Sequence, residues 1–267
     1  MLDRIRKALG RPTLPTGHTD PADVTSDVCR RLERLEPLGD VMQAVPPDQL
    51  VARLEDELGK VAVSTGRASS LSELERILTG IFNSARASTV VLSRNPLLTR
   101  LGIESRLRIA GKAVAAWPAP PPSSVPPIAS TEAASDAESD SGQDFRHQCF
   151  SAEVGITGVD LALAESGTFV VTSLTEGSQL ASLAPPVHVV LYRREQVVAT
   201  LEEVLDNLPG LPGSTGSSDP TALVPGRSVV FITGTSRTAD IEQILIRGVH
   251  GPRDVHAILI EEACLGV

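Results

Sequence analysis

The stretch Gly155–Val171, GITGVDLALAESGTFVV, decides how the chain is read. Gly155 and Gly158 flank Ile156 and Thr157, a pattern for a tight turn with close backbone approach. An apolar run then resumes and ends in TFVV, a buried strand. Two carboxylates, Asp160 and Glu165, interrupt otherwise small and apolar residues. Their odd spacing puts them on opposite faces of an extended segment, and it suits one helix face poorly. They are therefore expected to serve different ends. Asp160 is read as tying down the Gly–Thr turn by hydrogen bonds. Glu165, set between Ala164 and Ser166–Gly167, needs partners or a raised pKa.

Working outward, short apolar runs alternate with segments of helical period. KVAVST, STVVLS, KAVAAWP, GTFVVTS, PPVHVVLY, SVVFITG and VHAILIEE read as strands. LSELERILTGIFNSA, QDFRHQCFSAEV, REQVVATLEEVLDNL and TADIEQILIRG read as helices. This alternation predicts an α/β fold, a mostly parallel sheet flanked by helices. Residues 118–143 are Pro, Ser, Ala and acid, and cannot bury enough apolar surface to offset their ordering entropy; they are read as a flexible insertion. Residues 1–47 read as an N-terminal helical arm, with MLDRIRKAL as a short amphipathic helix stopped by Gly10 and Pro12. The α/β domain then occupies 48–267, with Asp48 as the N-cap of its first helix.

The 267 residues are 41% hydrophobic but only 3% aromatic, so the core is aliphatic. A net charge of -9 argues against a broad nucleic-acid footprint. Cys29, Cys149 and Cys264 are far apart and form no C-x-x-C pair, so no local zinc or iron–sulfur motif is expected. No apolar run approaches the ~20 residues of a membrane span. The expectation is a cytoplasmic protein without a resident metal.

In a parallel α/β sheet, ligands collect outside the carboxyl ends of the strands. Three polar loops are candidates. After SVVFITG comes the turn Gly234, Thr235, Ser236, Arg237, Thr238, read as leading into a helix N-terminus and so as an anion site. In RGVHGPRD, His250 lies between glycines; in PPVHVV, His188 enters a strand, and either is a candidate acid–base residue or ligand donor. The third loop carries Gly158, Asp160 and Glu165. If all face one sheet edge, they line one cleft, with Glu165 and His250 as a coupled acid–base pair and the Gly158, Asp160, His188 and 234–238 groups binding a small anion.

GITGVDLALAESGT, PPVH, GTSRTADIE and GVHGP, in this order, resemble the LUD domain family over roughly residues 50–266, and its short members without iron–sulfur cysteine motifs most closely. The resemblance implies a fold like the sugar-phosphate isomerase and CoA-transferase group. It implies a role in oxidising L-lactate to pyruvate as an accessory subunit beside iron–sulfur partner subunits, with no cofactor in this chain. It supplies no catalytic residue. Two alternatives stand: a CoA-transferase-like enzyme using Glu165 as nucleophile, because the ESG turn resembles that of those enzymes, and a metabolite-binding or sensor module without chemistry.

Overall fold

A computed structural model of the chain describes residues 45–117, 135–207, 228–239, 245–248 and 250–266. Most of the arm expected over 1–47 lies outside them. The first described helix, α1 (Leu50–Lys60), buries Val51, Leu54 and Leu58 along one stripe. Its N-cap is Gln49, not Asp48, and no side chain caps it. Strand β1 (Val63–Ala68) follows. Helix α2 (Leu71–Ala85) starts where Ser70 Oγ accepts the Glu73 amide, and it buries Leu74, Leu78, Ile81 and Phe82.

The next unit sets up the site. Strand β2 (Thr89–Leu92) leads through Ser93–Asn95 into α3 (Pro96–Arg100), α4 (Ile103–Ile109) and β3 (Ala113–Ala116). Helix α5 (Ser135–Ser151) precedes β4 (Val154–Thr157). It begins inside the stretch read as an insertion, so residues 135–143 are helical rather than part of a loop.

Six strands form one sheet in the order β1, β12, β7, β4, β2, β3, where β7 is Val187–Arg193 and β12 is Asp254–Ile260. Every neighbouring pair is parallel. Both faces are covered, which is why β7 and β12 read as near-continuous apolar runs. Alternate residues part to opposite sides. Val187, Val189 and Leu191 join the core under α2, α3 and α4, while Val190 and Tyr192 join a second core with Leu54 and Leu58 of α1.

Two strands expected in the parallel sheet lie elsewhere. β5 (Leu161–Leu163) and β6 (Thr168–Thr172) pair antiparallel, and β9 (Val229–Ile232) pairs antiparallel with β6. With β8 (Val197–Val198), parallel to β5, they make a separate four-stranded sheet. The reason is connection length. Only Ala164–Gly167 joins β5 to β6, whereas a parallel crossover needs about a dozen residues. Gly167 turns this corner at φ +64, and α1 backbone at Glu57–Leu58 occupies the space a Cβ would need. Phe169 and Val171 face the α1 core.

Two predicted helices are also revised. In 194–207 only α8 (Leu201–Asn207) is an α-helix, because Val197–Val198 extends the small sheet. TADIEQILIRG (238–248) overlaps β10 (Arg237–Ala239) and contains β11 (Leu245–Arg247), an antiparallel pair with Thr238 opposite Ile246. Such β-branched residues suit strands as well as an apolar helix stripe, and pairing decided between them.

Candidate functional site at the carboxyl edge of the sheet

β2 and β4 are neighbours, but the chain leaves them in opposite directions. From β2 it runs outward to β3; from β4 it runs toward β7 and β12. Loops that diverge from adjacent parallel strands leave a crevice between them. A cleft of about 270 Å³ lies there, lined by Asn95, Pro96, Leu97 and Arg100 after β2, by Val159 and Asp160 after β4, and by Thr175, Arg193 and Gln196.

Each wall has a local cause. Asn95 caps α3, its Oδ1 accepting the Leu97 amide at 3.0 Å, with Pro96 at the first helical position. The cap fixes the amide orientation, so Asn95 Nδ2 donates to Glu176 Oε1. Gly158 is required at this point: the Asn95 amide fills the space a Cβ would occupy. Gly155 has the same role beneath it, with the Ala181 carbonyl of α7 (Leu180–Leu183) packed on its Cα. The glycines of GITG therefore serve close approach on both sides of β4.

Gly155–Thr157 form the body of β4 rather than the expected tight turn, and Asp160 does not tie that stretch down. Its Oδ2 accepts the Thr172 amide at 2.6 Å and the Thr175 hydroxyl at 3.0 Å, joining the loop after β4 to the start of α6 (Ser173–Glu176). Burial raises its pKa against these hydrogen bonds. Gln196 closes the side near β7: it accepts the Arg193 amide and donates to the Val159 carbonyl at 2.6 Å. Arg100 is exposed and forms no ion pair with another described residue; Arg193 pairs with Glu195.

Behind Asn95 stands Glu176, only 1% exposed. Burial pushes its pKa up to about 7, helped by the negative charge of Asp160 and opposed by the Ser93 hydroxyl, Asn95 and the Gly158 amide. Its Oε2 is buried without a hydrogen bond of good geometry. Arg94 anchors α6, its Nη2 donating to the Leu174 carbonyl at 2.8 Å and its amide to the Glu176 carbonyl.

The other candidates do not join this cleft. His188 sits at the start of β7, fully buried beside Gly155. Its Nε2 lies 2.9 Å from Thr157 Oγ1, and burial pushes its pKa down to about 3, so it is a neutral core residue. Glu165 is in the β5–β6 corner, where its Oε1 accepts the Leu201 amide at the start of α8. Gly234, Thr235, Ser236 and His250 lie at the amino edge of the parallel sheet. The Thr235 amide donates to the carbonyl of Val61, two residues before β1. The Ser236 amide donates to that of Pro252, two residues before β12. His250 donates its amide to Ser236 Oγ.

These amides are therefore engaged, and where a helix N-terminus was expected, Arg237 and Thr238 begin β10. The seven-residue β7 spans about 20 Å, so the two edges are far apart. No hydrogen bond or ion pair joins Glu165 to His250, and the expected single cleft divides into two regions. Sequence reading missed Asn95, Arg100, Glu176 and Arg193. The signal available for the first was SRNP directly after a buried strand, an Asn cap with proline next.

A doubly covered parallel sheet with a small second sheet on one face, and a cleft at its switch point, defines the class of α/β protein. A profile of the LUD domain matches residues 51–260, and the chain belongs to the LUD domain family. It is 26% identical over 261 residues to a protein of Halalkalibacterium halodurans named lactate utilization protein C, covering 98% of this chain and 96% of that one. A protein of the same name from Bacillus subtilis is 25% identical over 98% of this chain and 95% of its own length. Among solved structures, a DUF162 family protein of Deinococcus radiodurans superposes on 82% of this chain and 100% of its own, with a TM-score of 0.50 at 19% identity, a likeness of fold. Among the described residues no helix is long and apolar enough to cross a membrane.

Proposed function

We propose that this protein is a cytoplasmic accessory subunit of a system that oxidises L-lactate to pyruvate, working beside iron–sulfur partner subunits, and that its own site binds a small carboxylate anion. The observation that carries the role is similarity along 98% of the chain to proteins named lactate utilization protein C. The site is assigned from chemistry. At the β2–β4 crevice, Arg100 and Arg193 offer guanidinium groups, and Asn95 has a second amide hydrogen beyond the one given to Glu176. A guanidinium pairs with a carboxylate through two parallel hydrogen bonds, and the Asn95 donor suits the hydroxyl or carbonyl of a 2-hydroxy or 2-oxo acid. Asp160 faces the same space and accepts from a ligand hydroxyl while disfavouring a dianion. The cofactors of the oxidation are assigned to the partners.

Three measurements test this reading. Deletion of the gene is expected to abolish growth on L-lactate, and the purified chain to retain the iron–sulfur subunits in a pull-down. Calorimetry with L-lactate and pyruvate is expected to show binding that weakens in Arg100→Ala. Unchanged growth together with no retained subunit removes the role.

A further inference from the structure

Glu176 is the only buried carboxyl among the described residues. It closes α6, and two loops of the switch point pack on it. From the β2 side come Ser93, Arg94 and Asn95; from the β4 side come Gly158 and Asp160. On the remaining side Gly177 lies against the Trp117 ring. The charged groups on these elements are Arg94 and Asp160. Arg94 directs its Nη2 to the carbonyls of Ser173 and Leu174, so it serves the α6 backbone. Asp160 is like-charged and adds to the effect of burial on Glu176. Asn95 cannot reverse its amide to relieve the pair, because its Oδ1 is committed to the Leu97 amide. One Glu176 oxygen therefore has a donor and the other, Oε2, has none of good geometry. Burial outweighs the support that the Ser93 hydroxyl and the Gly158 amide give the ionised form, so the carboxyl meets its needs best as the neutral acid, with the proton on Oε2.

Asp160 lines the cleft that holds Arg100 and Arg193, and Asn95 forms the wall between that cleft and Glu176. We infer that Glu176 and Asp160 hold one proton in common beneath the cleft, and that an anion entering beside Arg100 and Arg193 is accompanied by uptake of a proton on Glu176. The balance is simple. An added negative charge disfavours a second ionised carboxyl, so the Glu176 carboxylate takes a proton from solvent hydronium; one O–H bond forms on Glu176, one breaks in hydronium, and water is released. By linkage the ligand then binds more weakly as pH rises through neutrality, where Glu176 ionises near 7. The ligand half of this inference rests on the cleft reading proposed above; the carboxyl pair does not.

Infrared pH titration of the full chain tests it by following the C=O band of a protonated carboxyl in wild type, Glu176→Gln and Asp160→Asn. The glutamine variant keeps an oxygen for the Asn95 donor, so it preserves the fold while removing the titrating group. The band is expected to vanish near neutral pH in wild type and to be absent from Glu176→Gln. In Asp160→Asn it is expected to vanish about one pH unit lower, a tenfold change in proton affinity. Saturating pyruvate or L-lactate is expected to move the wild-type midpoint upward. A wild-type band already lost below about pH 5 overturns the inference, as does an unmoved midpoint in Asp160→Asn. If calorimetry shows pyruvate bound while the midpoint stays fixed, the lactate reading survives and the proton uptake is overturned. If neither acid binds, the ligand site proposed above and the coupled uptake both fall, and Asp160→Asn alone decides the shared proton.

Discussion

Two stretches of this chain look alike and sit at opposite edges of the sheet. GITGVD (155–160) and TGTSRT (233–238) both join an apolar strand to glycine, threonine and a charged residue. The first leaves β4, in the middle of the parallel sheet, and opens on a crevice. The second leaves β9, an edge strand of the small sheet, and folds onto the residues before β1 and β12. Their glycines differ accordingly. Gly158 makes room for the Asn95 amide, a neighbour that lines the cleft, whereas Gly234 takes φ +74 against the Val61 carbonyl, a purely structural contact. Local chemistry is shared; which sheet the strand belongs to decides whether the turn opens on a cleft or packs on backbone.

The largest expected effect that sharpens this contrast is on stability against pH. Glu176 keeps a proton in the folded chain that the unfolded chain gives up, since its pKa rises from 4.5 to about 7. Stability from this group is full below pH 4.5 and is lost as pH rises to about 7, a loss of about 3 kcal/mol. Glu153, held ionised by the Ser88 and Thr89 amides, acts with the opposite sign and only as pH falls below its ordinary value. His188, kept neutral in the fold with a pKa of about 3, acts against this loss, since the unfolded imidazole gives up its proton only as pH rises to 6.5. Urea unfolding between pH 4.5 and 7.5 should therefore show a nearly level ΔG in wild type and a ΔG that rises with pH in Glu176→Gln; equal slopes would mean the carboxyl is ionised throughout.

Next come the two glycines. Gly158→Ala forces a Cβ into the Asn95 amide and is expected to cost about 1–3 kcal/mol. Gly234→Ala meets the Val61 carbonyl in a left-handed conformation and is expected to cost a similar amount. Only the first should also abolish pyruvate binding by calorimetry. If both or neither did so, the separation of the edges would be wrong. Arg100→Ala removes a charged donor and is expected to weaken the anion by about 1.5–3 kcal/mol, with little change in unfolding midpoint because the side chain is exposed. The smallest effect belongs to His250→Ala, whose amide rather than ring makes the bond to Ser236. Stability within about 0.5 kcal/mol of wild type and unaltered binding are expected, and a loss of binding would restore His250 to the site.

Much was legible in the residues themselves. Period and composition mark α1, α2 and five of the six strands of the parallel sheet, because burial on both faces leaves continuous aliphatic runs such as VHVVLY and VHAILI, while β4, with Gly155 inside it, reads as a turn. GITG signals close backbone approach, and Gly155 and Gly158 do meet Ala181 and Asn95. The order of motifs marks the LUD family. What no local pattern contains is the partner of each strand. GTFVV and SVVFI are as apolar as the parallel strands, yet the four residues of AESG leave β5 and β6 no path but an antiparallel corner. That corner carries Glu165 to the start of α8, and β9 carries Thr235 and Ser236 to the amino edge. Asn95, Asp160 and Glu176 meet only because β2 and β4 are neighbours whose connections diverge. Their separations in sequence, 81 residues between Asn95 and Glu176, hide the cluster. Burial, which raises the pKa of Glu176, is a property of that packing and not of the glutamate.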